Sequence, residues 1–240
     1  MLQVYTKSFE NDLAAHFAGL EKASRRRQGH GEGPIKEGKD EMPFWLYQWM
    51  AKHFLVNEGQ EGSAPIFSHL FSVLCWNLMC RAGNAVGICF SHMEWREDAL
   101  AIYFAHMKND QRGQKAKHPR HIYANPLMPE ICPILALGIY LICQPGVFHQ
   151  QHLFPGGRQY NRFREILAKA MLHQRVKDAG IDNKHIGTHS FRKGAATYVT
   201  SGIVDGPSAW AVNQRAGWSE VGPQPRYIKC DFQSSLYFLK

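Results

Sequence analysis

The last third of the chain concentrates the residue types that phosphoryl chemistry uses. It reads Thr188-His189-Ser190-Phe191-Arg192-Lys193-Gly194, then Arg215-Ala216-Gly217-Trp218, then Pro225-Arg226-Tyr227. Cutting a phosphodiester without a metal asks for a nucleophile at phosphorus. It asks for cationic, bidentate donors on the two non-bridging oxygens, whose charge grows in the transition state. Arginine suits that task, because its guanidinium forks onto two oxygens and stays charged. A general acid must protonate the departing oxygen. A tyrosine nucleophile, with an intrinsic pKa of about 10, also needs a cationic surrounding or a base. Singly, these residues say little. With 13 histidines present, one His-x-x-Arg match is expected by chance. Trp218 alone would be a core residue, and Tyr227 is one of nine tyrosines.

Together and in this order, they resemble the tyrosine recombinase (phage integrase) signature: His-x-x-Arg opening a helix, then Gly-Trp, then Tyr nine residues later. That family also carries a first arginine at the end of a buried helix and a lysine on the following hairpin. Here Cys80-Arg81-Ala82-Gly83-Asn84 closes an apolar helix, and Lys108 stands 27 residues after Arg81, where LAIYFAHM meets its turn. The resemblance covers residues 42–235. Residues 118–141 and 187–202, with the RAGW motif, further resemble the recombinases of Crypton-type eukaryotic DNA transposons.

The resemblance implies roles. Arg81 and Arg192 clamp the scissile phosphate. Lys108 is the general acid for the 5′ hydroxyl, with Lys115 and Lys117 as alternatives on the same hairpin. His189 assists proton transfer, and Trp218 offers its indole N–H, a donor-only group. Tyr227 forms a covalent 3′-phosphotyrosine, which conserves the bond energy, so religation needs no ATP, metal or cofactor. One departure is Asn84, where the family often has an acidic residue; Glu94 is a candidate replacement. Blander readings remain beside these: Arg81 as a helix C-terminal cap and Lys108 as a solvated hairpin lysine.

The elements that must position this set follow from periodicity. Phe9, Leu13, Phe17 and Leu20 recur at helical spacing and predict a helix over 1–24. The Gly-rich, charged stretch 28–41 reads as a linker, so residues 1–27 are expected to be the remnant of an N-terminal core-binding domain and 42–240 the catalytic domain. Helices are expected over 44–55, 66–79, 131–143, 159–179, 188–198, 209–216 and 224–229. Of these, 66–79 is apolar on nearly all sides, hence central. Strands are expected at 88–95, 100–107 and 121–124, with turn chemistry at Asn109–Gly113. The expected class is α+β, mainly helical with a small three-stranded antiparallel sheet.

The bulk composition agrees with a globular nucleic-acid partner. The net charge is +8 and apolar content is 45%, which favours a polyanion, nucleic acid first. No apolar run reaches the roughly 18 residues a membrane span needs, and the N-terminus has no secretory pattern. The six cysteines contain no Cys-x-x-Cys pair and read as buried free thiols. His149-Gln-Gln-His152 has metal-like spacing without further ligands. The expected partners are double-stranded DNA and further copies of the chain, a tetramer on DNA, with the apolar tail 230–240 packing on its own body or a neighbour's. The Crypton likeness implies a nuclear setting. The rival functions are a non-catalytic DNA-binding protein derived from a decayed or domesticated recombinase, and a type IB topoisomerase.

Overall fold

The computed structural model describes residues 7–29, 38–56, 62–104, 119–201 and 206–218. Its contacts divide the chain into two units after Gly38. In the first, α1 (Lys7–Gly29) is a continuous helix with Phe17 and Leu20 exposed. It runs past the expected end at residue 24, because Arg25–Arg27 are good helix formers and charge alone does not stop a helix.

The second unit is built around α3 (Ala64–Asn77), which is buried continuously from Phe67 to Trp76. Such a helix must satisfy its own polar groups. Ser68 Oγ donates to Ala64 O at 2.7 Å and Ser72 Oγ to His69 O at 2.8 Å. Around α3 pack α2 (Phe44–Val56), α5 (Pro133–Cys143), α6 (Gln159–Ala170) and α8 (Thr188–Ser201). Tyr47 stacks on Trp76 at 4.2 Å and Phe44 on Tyr198 at 4.1 Å, which joins α2, α3 and α8.

Between α3 and α5 the chain forms α4 (Ala82–Val86) and an antiparallel sheet, β1 (Met93–Arg96), β2 (Ala99–Ile102) and β3 (Arg120–Tyr123), in that spatial order. Trp95 faces Leu100, and Leu100 faces Ile122. The short α7 (Gln174–Asp178) follows α6, and α9 (Ala209–Ala216) follows α8. The class is the expected one, mainly helical α+β with a small three-stranded antiparallel sheet.

The differences from the sequence reading are local. The expected strand at 88–95 begins only at Met93. Upstream, Leu153 N donates to Ile88 O and Phe90 N to Gln151 O, so residues 88–90 pair with 151–153 instead of the hairpin. The expected helix 159–179 is broken at His173, which turns extended (φ −62°, ψ 145°) and caps α7 by accepting from Arg175 N through Nδ1. The helix expected from 131 starts at Pro133, where a proline loses nothing. Cys75, Cys80, Cys89 and Cys132 are buried free thiols; Cys143, contrary to expectation, is exposed, because it ends α5. The turn at 109–113, the helix at 224–229, Cys230 and the tail lie outside the described residues.

His69 gives α3 a pH dependence. It is 1% exposed, and Nε2 donates to Glu130 O at 2.7 Å. Burial holds its pKa below the ordinary 6.5, although the Glu130 carbonyl acts upward. Below about pH 6.5 the unfolded chain binds a proton that the folded chain refuses, so stability falls as pH falls. The melting temperature should drop between pH 7 and 5. In His69→Gln, which can still donate to Glu130, the slope should flatten. An unchanged slope in the variant would remove His69 as its cause.

Candidate active site

Two helix ends build the site. At the end of α3, Met79 N donates to Trp76 O at 3.0 Å and Cys80 N to Cys75 O at 3.3 Å. At the end of α9, Gly217 N donates to Gln214 O at 3.0 Å and Trp218 N to Asn213 O at 2.9 Å. Both are Schellman closures, which need a left-handed residue at the turn. Gly217 supplies it freely at φ 67°; Met79 supplies it at φ 45°, at a steric cost a non-glycine residue bears. Each closure throws the chain sharply off its helix axis. Arg81 leaves the first in extended conformation (φ −71°, ψ 146°), half-buried. It precedes α4 rather than capping α3. Trp218 leaves the second, packed against the core.

α8 brings the third component. His189 and Arg192 are three residues apart, which places them on one face. His189 is exposed in the first turn, and Arg192 is 3% exposed one turn deeper. Arg192 Nη2 donates to Ala216 O at 2.7 Å, and its guanidinium carbon lies 5.2 Å from the centroid of the Trp218 ring. A guanidinium over an indole is an attractive cation–π contact, so α8 and the end of α9 are locked together through these two side chains. His189 also rims a cavity of about 440 Å³ between α6 and the 183–189 turn, with Lys39, Tyr160 and Arg164 in its wall.

Two further arginines stand in the same place. Arg120, on β3, is 7% exposed; its Nη1 donates to Leu78 O at 2.6 Å and its guanidinium lies 4.9 Å from the Phe104 centroid. Arg215, on α9, donates from Nε and Nη2 to Asn77 O and from Nη2 to His121 O at 2.8 Å. Burial, together with the charges of Arg215 and Arg81, lowers the Arg120 pKa to about 10, against an upward pull from Cys80. At neutral pH it is still a cation. Burial likewise lowers Arg215. The fully buried Cys80 thiol is lowered by the hydrogen bond from Cys75, and further by Arg120 and Arg192. Arg81, Arg120, Arg192 and Arg215 therefore gather around the Cys80 turn. Such a cluster is chemically suited to hold an anion.

Of the six residues singled out in the sequence, Arg81, His189, Arg192 and Trp218 are described, and Arg192 and Trp218 are in contact. Lys108 and Tyr227 lie outside the described residues, as do Lys115 and Lys117. Glu94, the candidate replacement for an acid at Asn84, is occupied on β1: its Oε2 accepts from Arg96 at 3.2 Å and from the Tyr103 hydroxyl at 3.0 Å. Arg215 stands in the Arg-Ala-Gly-Trp stretch of the sequence but was given no role there, and Arg120 was not picked out. The available signal was an arginine on the core-facing phase of the RHIY strand, whose burial alternates.

No protein-family model matches the chain, and no curated protein matches it in sequence. Solved structures do match. XerA recombinase superposes with a TM-score of 0.55 at 15% identity, over 86% of this chain and 64% of that one. XerH site-specific recombinase in a post-cleavage complex with difH substrate superposes with a TM-score of 0.60 at 13% identity, over 86% and 54%. The fold is that of the site-specific recombinases. The pre-cleavage XerH complex gives the same result, with a TM-score of 0.57 at 12% identity. The chain spans between half and two-thirds of the length of these recombinases. On the recombinase fold, the arginine cluster sits where α3, α8, α9 and the sheet meet. No helix among the described residues is long and apolar enough to cross a membrane.

Proposed function

We propose that the chain is the catalytic part of a tyrosine recombinase that cuts and rejoins DNA strands through a covalent 3′-phosphotyrosine. The observation that carries this reading is the convergence of Arg192, Trp218 and the Arg81 turn, on a recombinase fold, into one cationic centre. Arg81 and Arg192 hold the non-bridging oxygens of the scissile phosphate, and Trp218 adds its indole N–H. The Tyr227 oxygen attacks phosphorus, the bond to the 5′ oxygen breaks, and Lys108 delivers a proton to that oxygen. His189 assists the proton transfer at the nucleophile or phosphate. The reverse sequence, with a new 5′ hydroxyl, rejoins the strand. Positive charge around phosphorus stabilises the developing oxyanion without reorganisation at the moment of reaction.

Double-stranded DNA is the proposed substrate, supported by the net charge of +8 and by the difH substrate bound in the XerH site-specific recombinase structures. Residues 1–27 are proposed as the end of a core-binding domain, and a tetramer on DNA as the working assembly. A Crypton-type element in a nucleus is the proposed setting, which rests on the phrases at 118–141 and 187–202.

The test is a denaturing gel after incubation with nicked suicide duplexes in chelator. Wild type should form a covalent protein–DNA adduct, and Tyr227→Phe should form none. An adduct that persists in the variant would move the nucleophile to another residue. Binding without any adduct, also in a longer chain, would favour a non-catalytic DNA-binding protein.

A further inference from the structure

We infer that Arg120 and Arg215 are positioning residues of the anion site, which hold Arg81 against Arg192 and Trp218 before any phosphate arrives. This rests on the reading of that centre as a phosphate site.

The geometry is unusual for simple helix capping. The last carbonyls of a helix need donors, and an exposed lysine on the same helix can provide one. Here the donors come from distant elements. Asn77 O and Leu78 O, four and three residues before Arg81, accept from α9 and β3 respectively. Arg215 also reaches His121 O on β3. Arg215 is itself three residues before Trp218, and the next carbonyl, Ala216 O, accepts from Arg192. Two sets of charge-assisted hydrogen bonds thus meet on α9: Arg215 ties it to α3 and β3, and Arg192 ties α8 to its last turn, with Arg81 just beyond the first set and Trp218 just beyond the second.

Each contact is placed where leverage is short. Arg81 is separated from the clamped carbonyls only by Met79 and Cys80, and Met79 is held at φ 45°. The clamp over-determines a turn that a methionine would otherwise leave. Burying guanidiniums is costly unless they are hydrogen-bonded, and a lysine cannot reproduce a two-carbonyl fork. The arginines therefore do more here than neutralise a helix end.

The test uses the full chain with Arg215→Lys, which keeps the charge and loses the fork, and Arg120→Lys, which keeps the charge and loses the planar group between Leu78 O and the Phe104 ring, with inorganic sulfate as the anion probe. Circular dichroism establishes the temperature range in which each variant is fully folded. Within it, sulfate affinity by titration calorimetry should fall about tenfold or more, since small misplacements of a preorganised donor carry losses of that size. Single-turnover cleavage of a suicide duplex at saturating DNA should fall as much, with DNA affinity changed less than about threefold, because the other phosphate contacts remain. If a lysine variant does not fold, Phe104→Leu removes only the ring under Arg120 and should still weaken sulfate binding. Folded variants with wild-type sulfate affinity would reduce both arginines to structural caps and overturn the inference. So would a wild type that binds no sulfate. A wild type that binds sulfate but forms no adduct would sink strand transfer as the function, and the sulfate comparison alone would then decide the positioning role.

Discussion

Arg192→Lys is expected to slow strand cleavage by roughly a hundredfold or more while the chain stays folded. The expectation follows from how Arg192 is held. Its guanidinium is 3% exposed, is anchored through Nη2 on Ala216 O and lies over the Trp218 ring. A planar, five-donor group can keep that anchor and still present other N–H groups in a fixed direction. An ammonium is a point donor on a flexible stem: if it stays on Ala216 O it does not reach the phosphate, and if it turns to the phosphate it leaves a buried carbonyl unpaired. Losing one preorganised oxyanion donor costs about 10²–10³ in rate. Arg192→Ala should add a stability loss of about 2–3 kcal/mol, from the unpaired carbonyl and the lost packing of the arginine stem. Single-turnover rates on a suicide duplex, read beside thermal melts, separate the two effects. A lysine variant that cleaves at the wild-type rate would take Arg192 off the phosphate.

Much of the fold was legible in the residues. The apolar run at 66–79 announced a helix buried on all sides, and α3 is that helix. The helix over 209–216 and the opening of α8 at Thr188 stand where the sequence reading expects them. What was not legible depends on contacts between distant segments. Nothing near Ile88 in the sequence says that it pairs with Leu153, so the first strand was drawn too long. His173 leaves the helix because its own side chain can cap the next one, a local choice that periodicity hides. Arg120 and Arg215 look like ordinary surface cations until β3 and α9 are folded against the end of α3. A motif shows which residue types stand near one another along the chain; the arginines that meet the orphan carbonyls Asn77 O and Leu78 O come from wherever the fold brings a donor to them.

Gly194→Ala tests that dependence from the opposite side, through packing instead of charge. In an exposed helix this change would stabilise by about 1 kcal/mol, since alanine is the better helix former. In α8 the sign reverses. A Cβ at 194 would stand 2.2 Å from Met42 O, 3.0 Å from Met42 C and 2.8 Å from Trp76 Cζ3. Neither neighbour can give way cheaply. The backbone at 40–42 is fastened to the α8 region by Asp40 N donating to His185 O at 2.7 Å and Met42 N to Ser190 O at 3.0 Å. Trp76 is stacked flat on Tyr47, which meets Phe191 edge-on. α8 must therefore move away, against the core side of the same helix that carries Arg192. Overpacking of this kind costs about 1–3 kcal/mol, and more when the neighbours are backbone. At roughly 2–4 °C per kcal/mol for a domain of this size, the melting temperature should fall by at least several degrees. Because the displaced helix also bears His189 and Arg192, the folded fraction should cleave more slowly as well. An unchanged or higher melting temperature would mean that the close approach of α8 to the 40–42 segment is absent in solution.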